Sequence, residues 1–383
     1  MGKQAGSSDA GKFEFEVRVP TDYQYDVVYQ VDLMKNYGAM LVDALGKTNV
    51  AVLTDNRVNK LYGETFLQSF RDMGIDPNLL VVPEGETSKS LPTFSSLLDR
   101  MAELKFDRRA ILVNFGGGVI TDLGGYVASS YMRGINYANF GTSLLGQLDA
   151  CVGGKVAVNA KVAKNMIGAF YHPRHAAGDP VLLKTLSFRD FKSGLAEAIK
   201  VAIIMSPELF EILEKEHARI MKREPEIMVK VIGLSSKLKM DMISLDPYEN
   251  DLRRPLNFGH TIGHPIETEF AYKNIRHGEA VGIGIGVATV VAQNKGIIPD
   301  ELAERIYDML LSYDLLGFSE PINPDNVVEH VKYVRLIRAN QLNFVLPTKK
   351  IGDCLITNDV SNADLVKGFE DYEEVVCRKK GER

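Results

Sequence analysis

Three histidines fall within 18 residues of a chain that contains only seven. His260 and His264 are four apart, which puts them on one face of a helix. His277 opens a further helical segment in His277-Gly278-Glu279, and Glu197 lies on an earlier one in Gly194-Leu195-Ala196-Glu197. Imidazole and carboxylate donors with one position left open suit a catalytic zinc or a similar divalent ion. A lone histidine is more often a surface or satisfied core residue, so it is the clustering that matters. Spacing does not decide which three of these groups ligate.

A second constellation is Gly116-Gly117-Gly118-Val119-Ile120-Thr121-Asp122, directly after an apolar run. Glycines let the backbone turn sharply and approach a ligand closely, and the start of the following helix offers free N–H groups to a pyrophosphate. The run is not the usual GxGxxG fingerprint. Alone it reads equally well as a tight strand–helix turn, with Asp122 a helix-start acid. Asp55 and Glu84, at the ends of two other apolar runs, could receive ribose hydroxyls or be solvated loop residues.

Cations recur beside glycines and apolar segments. Lys155 follows Val152-Gly153-Gly154, Lys164 and Asn165 precede Met166-Ile167-Gly168, and Lys200 follows Glu197 by three on one helix face. Lys239 and Arg253 flank the approach to Asn257. A lysine is ordinarily a solvated surface residue, but this recurrence points to an anion site for phosphate or carboxylate.

These residues need elements to hold them. Up to about residue 180, strands alternate with helices: LVDALGKTNVAVLTDN, LLVVPEGE and AILVNFGGGV, with an amphipathic segment at Leu91 to Leu104. That alternation predicts a parallel sheet covered on both faces, with ligands at the carboxyl ends of its strands. From about Pro180 the periodicity is helical, in SGLAEAIKVAIIM through DELAERIYDMLLSY. The expected organisation is an α/β nucleotide-binding domain over residues 1–180 and a mostly helical metal- and substrate-binding domain over 181–383, with the cleft between them as the site. Met1 to Gly11 reads as a loose tail and FEFEV as an edge strand.

Composition bounds the partners. Hydrophobic residues make up 45% and charged residues 25%, an ordinary globular balance. A net charge of −5 gives no reason to expect nucleic acid or an anionic membrane. Cys151, Cys354 and Cys377 show neither metal spacing nor a disulfide pattern, which fits a reducing cytoplasm. No apolar run is long enough to span a bilayer, and the N-terminus lacks the apolar core of a signal peptide.

Taken together, GGGVITDLGGYVASSYMRG, LLGQLDACVGGKVAVN, KNMIGAFYHP, SGLAEAIK, LNFGHTIGHPIE and HGEAV resemble the dehydroquinate synthase superfamily of sugar phosphate cyclases. The resemblance implies that fold, NAD, and a divalent metal (zinc, or cobalt) held by Glu197, His260 and His277, with His264 on the substrate side. It implies NAD contacts at Asp55, Glu84, Lys89, Gly116, Gly117, Asp122, Thr142 and Ser143. It places Asp149, Lys155, Lys200 and His264 in catalysis, and Lys164, Asn165, Lys239, Arg253 and Asn257 on the substrate, a small sugar phosphate. Arg133 matches an arginine that such homodimers lend to the neighbouring subunit. The implied reaction oxidises a hydroxyl transiently, eliminates phosphate, returns the hydride and closes a carbocycle by aldol addition.

Within the superfamily two substrates compete. Pro265, the segment from Leu346-Pro347 to Asn358-Asp359-Val360, and YDVVY at Tyr25 to Tyr29 resemble sedoheptulose 7-phosphate cyclases of the 2-epi-valiolone synthase type. The histidine before Pro265, and Lys239, Arg253 and Asn257, match 3-dehydroquinate synthase, which takes a heptulosonate phosphate. A lysine pair expected near Val334 to Arg338 is absent, which leaves Arg335 or Arg338 to replace it. Proline inside a helix should bend it. The reading adopted is the sedoheptulose 7-phosphate cyclase, with 3-dehydroquinate synthase as the alternative. An iron-type alcohol dehydrogenase is more remote, since it has no use for Lys155, Lys164-Asn165, Lys200 and Arg253 together.

Overall fold

The computed structural model describes residues 7–9, 12–14, 24–160, 164–248, 252–270, 274–317, 321–337 and 341–381. Strands β1 (Ser7–Asp9) and β2 (Lys12–Glu14) form an antiparallel hairpin. The main sheet contains β3 (Asp26–Tyr29), β4 (Val50–Asp55), β5 (Asn78–Val82), β6 (Ile111–Gly116), β7 (Asn136–Gly141) and β10 (His175–Gly178), in the order β3-β10-β7-β6-β4-β5. Every pairing in it is parallel. β8 (Lys155–Val158) and β9 (Ile167–Phe170) form a separate hairpin, as do β11 (Phe344–Pro347) and β12 (Cys354–Thr357).

The helices of the sheet half are α1 (Tyr37–Leu45), α2 (Asn56–Val58), α3 (Glu64–Arg71), α4 (Leu91–Glu103) and α5 (Gly118–Ser130). The remainder are α6 (Phe188–Met205), α7 (Pro207–Lys215), α8 (His217–Met221), α9 (Pro225–Leu245), α10 (His260–Glu269), α11 (His277–Asn294), α12 (Asp300–Ser312), α13 (Pro324–Ile337) and α14 (Asn362–Lys380). The architecture is thus a parallel α/β half followed by a mostly helical half, as the sequence pattern predicts. Among the described residues no helix is long and apolar enough to cross a membrane.

The central strand β6 is buried at every position, as a parallel strand covered on both faces must be. On one face Leu112 shares a core with Ile120, Leu123 and Val127 of α5 and Leu97 and Met101 of α4. The other stacks Phe66 on Phe115, with ring centroids 3.8 Å apart, beside Tyr37 and Phe140. The chain leaves β4 for β5 on one side and returns to β6 on the other. The carboxyl ends of β4 and β6 therefore flank a topological switch point, where open α/β sheets bind ligands.

In the helical half, α11 is apolar all round and is the central buried helix. Its glycines sit where neighbours press closest. A Cβ on Gly278 would lie 2.1 Å from the Ser193 carbonyl oxygen, and one on Gly286 would lie 2.2 Å from the Tyr372 ring. Leu144 and Leu148, from the sheet half, complete the same core and tie the two halves together.

Two expectations need correction. Ser7–Asp9 is a strand, so the first eleven residues are not simply a tail. Phe13 and Glu14 belong to its hairpin partner and not to an edge of the main sheet, because a local partner closes with little loop entropy. The other residues of these two segments lie outside the described set. Pro265 is buried inside α10, which continues through it to Glu269.

Candidate active site

Three helices aim one ligand group each at a single point. Glu197 lies in the middle of α6, while His260 and His277 open α10 and α11. Glu197 Oε1 is 3.4 Å from His260 Nε2 and 3.3 Å from His277 Nε2. Ligands bonded to zinc at about 2.0–2.2 Å and tetrahedral angles stand roughly 3.3–3.6 Å apart. The donor set therefore fits a tetrahedral divalent ion. Gly259 permits the approach. Its φ of 75° is left-handed, and a Cβ there would press to 2.9 Å on Val281 and Ile285 of α11.

The other ring nitrogens are fixed too. His260 Nδ1 faces the Phe258 carbonyl at 3.1 Å, and His277 Nδ1 faces Glu267 Oε2 at 3.1 Å. Such outer partners orient ligating imidazoles. Burial works to lower His277, but Glu197 and Glu267 outweigh it and raise the group to about 10. A divalent ion takes the place of the Nε2 proton when it binds. Burial opposes ionisation of Glu197 as well, yet Lys200, 2.5 Å from Oε2, holds its carboxyl well below the ordinary range. Burial, then Lys200, keeps His260 neutral, the form that ligates.

His264 stands on the exposed side of this group, its ring 5.1 Å from that of His260. With Glu267 and His277 it makes a second close donor set. Glu267 was not foreseen from sequence. Its signal was present, because positions 260, 264 and 267 fall on one helix face.

At the sheet, α5 starts directly after β6. None of Gly116, Gly117 and Gly118 has a positive φ, so the run serves close approach and not a left-handed turn. A Cβ on Gly116 would meet Ile120 at 2.6 Å, and one on Gly117 would meet Ser143 Oγ at 3.2 Å. Thr142 N–H donates to the Gly116 carbonyl at 3.0 Å, and Ser143 Oγ accepts from Gly146 N–H at 3.0 Å. Asp55 ends β4 and caps the next helix through Val58 N–H at 2.8 Å. Glu84 is exposed, its own N–H on Asn56 Oδ1 at 2.9 Å. Burial raises Asp55, and the nearby Glu84 adds to the rise.

A cavity of about 540 Å³ is lined by Asp122, Asp149, Lys155 and Asn165 of the sheet half and by Lys239 and Arg253 of the helical half, among others. A site of that size suits a small phosphorylated ligand. Lys89 Nζ bridges Asp122 Oδ2 and Asn165 Oδ1 at 2.5 Å each. Lys239 Nζ is 2.8 Å from Asp149 Oδ1 and 2.5 Å from its carbonyl. Arg253 is only 4% exposed, and among the described residues its Nε and Nη1 are buried without a hydrogen-bond partner. A buried guanidinium in that state costs several kcal/mol by general precedent unless an anion meets it, so the cavity wall is made for an acidic ligand group.

Other expected residues do not line this cavity. Lys164 is close enough to Glu267 to lower it electrostatically. Asn257 ends the short turn Arg254–Asn257 ahead of α10, and Lys200 faces Glu197. Arg133 is exposed outside the cavity, in a run of three positive φ values at Met132, Arg133 and Gly134 (50°, 67° and 116°). The side chain of Arg335, and all of Arg338 and Asp251, lie outside the described residues.

The 3-dehydroquinate synthase N-terminal family matches residues 79–193, and its C-terminal family matches residues 194–334. The chain belongs to the dehydroquinate synthase superfamily of sugar phosphate cyclases. It is 36% identical to 3-dehydroquinate synthase of Prochlorococcus marinus, over 91% of this chain and 97% of that one. It is 37% identical to 2-epi-valiolone synthase of Actinosynnema mirum, over 92% and 93%. The solved 2-epi-5-epi-valiolone synthase of Streptomyces hygroscopicus subsp. jinggangensis, with NAD+ and Zn2+ bound, superposes with a TM-score of 0.87 at 30% identity, covering 94% of this chain and all of that one. An iron-containing alcohol dehydrogenase shares the fold alone, with a TM-score of 0.63 at 16% identity over 92% and 98%.

Proposed function

We propose that this protein is an NAD- and divalent-metal-dependent cyclase that converts sedoheptulose 7-phosphate to a valiolone-type cyclitol with loss of phosphate. The observation that carries the reading is the three-donor set of Glu197, His260 and His277 together with a cavity whose lining includes Lys155, Lys239 and Arg253. NAD supplies a hydride acceptor and donor when bound, and the ion supplies Lewis acidity.

The chain's own residues then divide the work. Residues 1–180 hold the nucleotide and 181–383 the metal and much of the substrate. Glu197, His260 and His277 hold the ion. The Gly116–Gly118 turn presents N–H groups of α5 to the pyrophosphate, while Asp55 and Glu84 receive ribose hydroxyls. Lys89, Thr142 and Ser143 shape the rest of that nucleotide pocket, with Asp122. Lys155, Lys164 and Asn165 hold phosphate. Asp149, Lys200 and His264 orient hydroxyls and move protons at their oxygens. Arg133, held outward in a strained loop, reaches a second copy's site in a homodimer.

The choice of sugar rests on Lys239. A heptulosonate carboxylate needs a cationic clamp, and the Lys239 charge is already met by Asp149. A hydroxymethyl group needs only hydrogen bonds. The second reading, 3-dehydroquinate synthase, is favoured by Arg253, whose unpartnered nitrogens suit a carboxylate. Phosphate release from each sugar phosphate, with NAD and zinc present, separates the two.

A further inference from the structure

The tyrosines of Tyr25-Asp26-Val27-Val28-Tyr29 are four residues apart along an extended chain, so both project to the same side of β3. That side faces α9. Tyr29 Oη lies 2.6 Å from the Gln147 carbonyl and 2.8 Å from Ser236 Oγ. The carbonyl can only accept, so it takes the phenol proton, and Ser236 then donates to the Tyr29 oxygen. Tyr25 Oη accepts from Gly153 N–H at 3.1 Å and points its own proton at Met240 Sδ, 3.5 Å away.

Each tyrosine thus grips the same two pieces of chain. One is the segment from Gly146 to Gly153, in the sheet half. The other is a single face of α9, in the helical half, where Ser236, Lys239, Met240 and Ile243 follow at helical spacing. Gly153 has a φ of 84°, and a Cβ there would meet Ile243 Cδ1 at 2.8 Å, so helix and segment are in direct contact. Between the two grips lies the Lys239–Asp149 ion pair of the cavity wall, and two residues past Gly153 is Lys155.

We propose that Tyr25 and Tyr29 are positioning residues that clamp α9 to the Gly146–Gly153 segment and so set the separation of Lys239, Asp149 and Lys155 across the substrate cavity. Neither tyrosine lines the cavity, and their hydroxyls act through the groups they hold. The proposal rests on the function proposed above for its kinetic consequence, but not for its structural one.

The test uses the full chain loaded with NAD and zinc, as Tyr25→Phe, Tyr29→Phe and the double variant. Each single variant is expected to lose about tenfold in kcat/KM for the sugar phosphate turned over, mostly through KM, at unchanged zinc content and NAD affinity. In a Lys239→Met background the same changes should cost less than twofold, because the clamp then has less to position. The Gly153 amide should exchange at least tenfold faster in Tyr25→Phe while the thermal midpoint stays within a few degrees. Full additivity with Lys239→Met, unchanged kinetics, or losses that merely follow global stability overturn the proposal. If neither sugar phosphate is turned over by the unaltered enzyme, the proposed function fails and amide exchange alone decides. Faster exchange at Gly153 then supports the clamp, and unchanged exchange removes it.

Discussion

His277 is gripped from both sides, by Glu197 at Nε2 and Glu267 at Nδ1. Glu267→Gln keeps an acceptor for Nδ1–H but removes its charge. Zinc affinity, measured by titrating the metal-free protein, should fall about 10–100-fold, as outer partners of metal-bound histidine generally do. His260→Ala should abolish bound metal and activity while leaving the fold intact; full zinc content in that variant contradicts the ligand assignment. Arg253→Ala removes a charge-assisted contact worth about 1.5–3 kcal/mol. It should lower kcat/KM by roughly ten- to over a hundredfold with NAD affinity unchanged, and an unchanged kcat/KM would mean that Arg253 meets no substrate group. At this scale the segments that carry the donor set, and the cations that line the cavity, each have a local signal in the sequence. The sequence did not show Glu267 as the partner of His277, or Asp149 as the partner of Lys239. Those pairings depend on how separate helices and loops come together.

The donor set depends on how α6 and α11 meet. Ser193 Oγ accepts from Gly278 N–H at 2.9 Å, and Arg189 holds Glu279 through two bonds of 2.7 Å. These contacts fix the start of α11, and therefore His277, against the helix that carries Glu197. Gly278→Ala forces a methyl onto the Ser193 backbone and should cost about 1–3 kcal/mol as overpacking. It should also weaken zinc binding, which shows in titration of the variant. The Arg189 pair has a pH signature. Burial opposes ionisation of Glu279, but Arg189 and the Arg276 N–H outweigh it and hold the carboxyl below its ordinary value. Its contribution to stability is complete above that ordinary value and is lost as pH falls through the lowered one. Arg189→Met should therefore lower the thermal midpoint at pH 7, by an amount that shrinks as the pH is taken down through the lowered value. The helices themselves were legible from periodicity. The N-terminal hairpin was not, since a few alternating residues do not say which partner they will find.

On the scale of the molecule, a parallel sheet with a glycine turn after β6 is followed by a helical half carrying the three-donor set, and the cavity is lined from both halves. That a parallel α/β part precedes a mostly helical part was readable from the change of hydrophobic period along the chain. The ties between the two, such as Leu144 and Leu148 in the helical core, involve ordinary apolar residues with no sequence mark. The central claim is a redox cycle that closes on itself, with phosphate eliminated from a seven-carbon ketose between the oxidation and the return of the hydride. The most direct measurement follows inorganic phosphate and NADH absorbance together, with zinc and NAD present and the two sugar phosphates offered in equal concentration. The account predicts phosphate release and a cyclitol from sedoheptulose 7-phosphate, with no net NADH. Cyclisation of the heptulosonate phosphate alone would contradict the substrate assignment and make Arg253 the better guide, and NADH rising in step with product would contradict the cyclase itself.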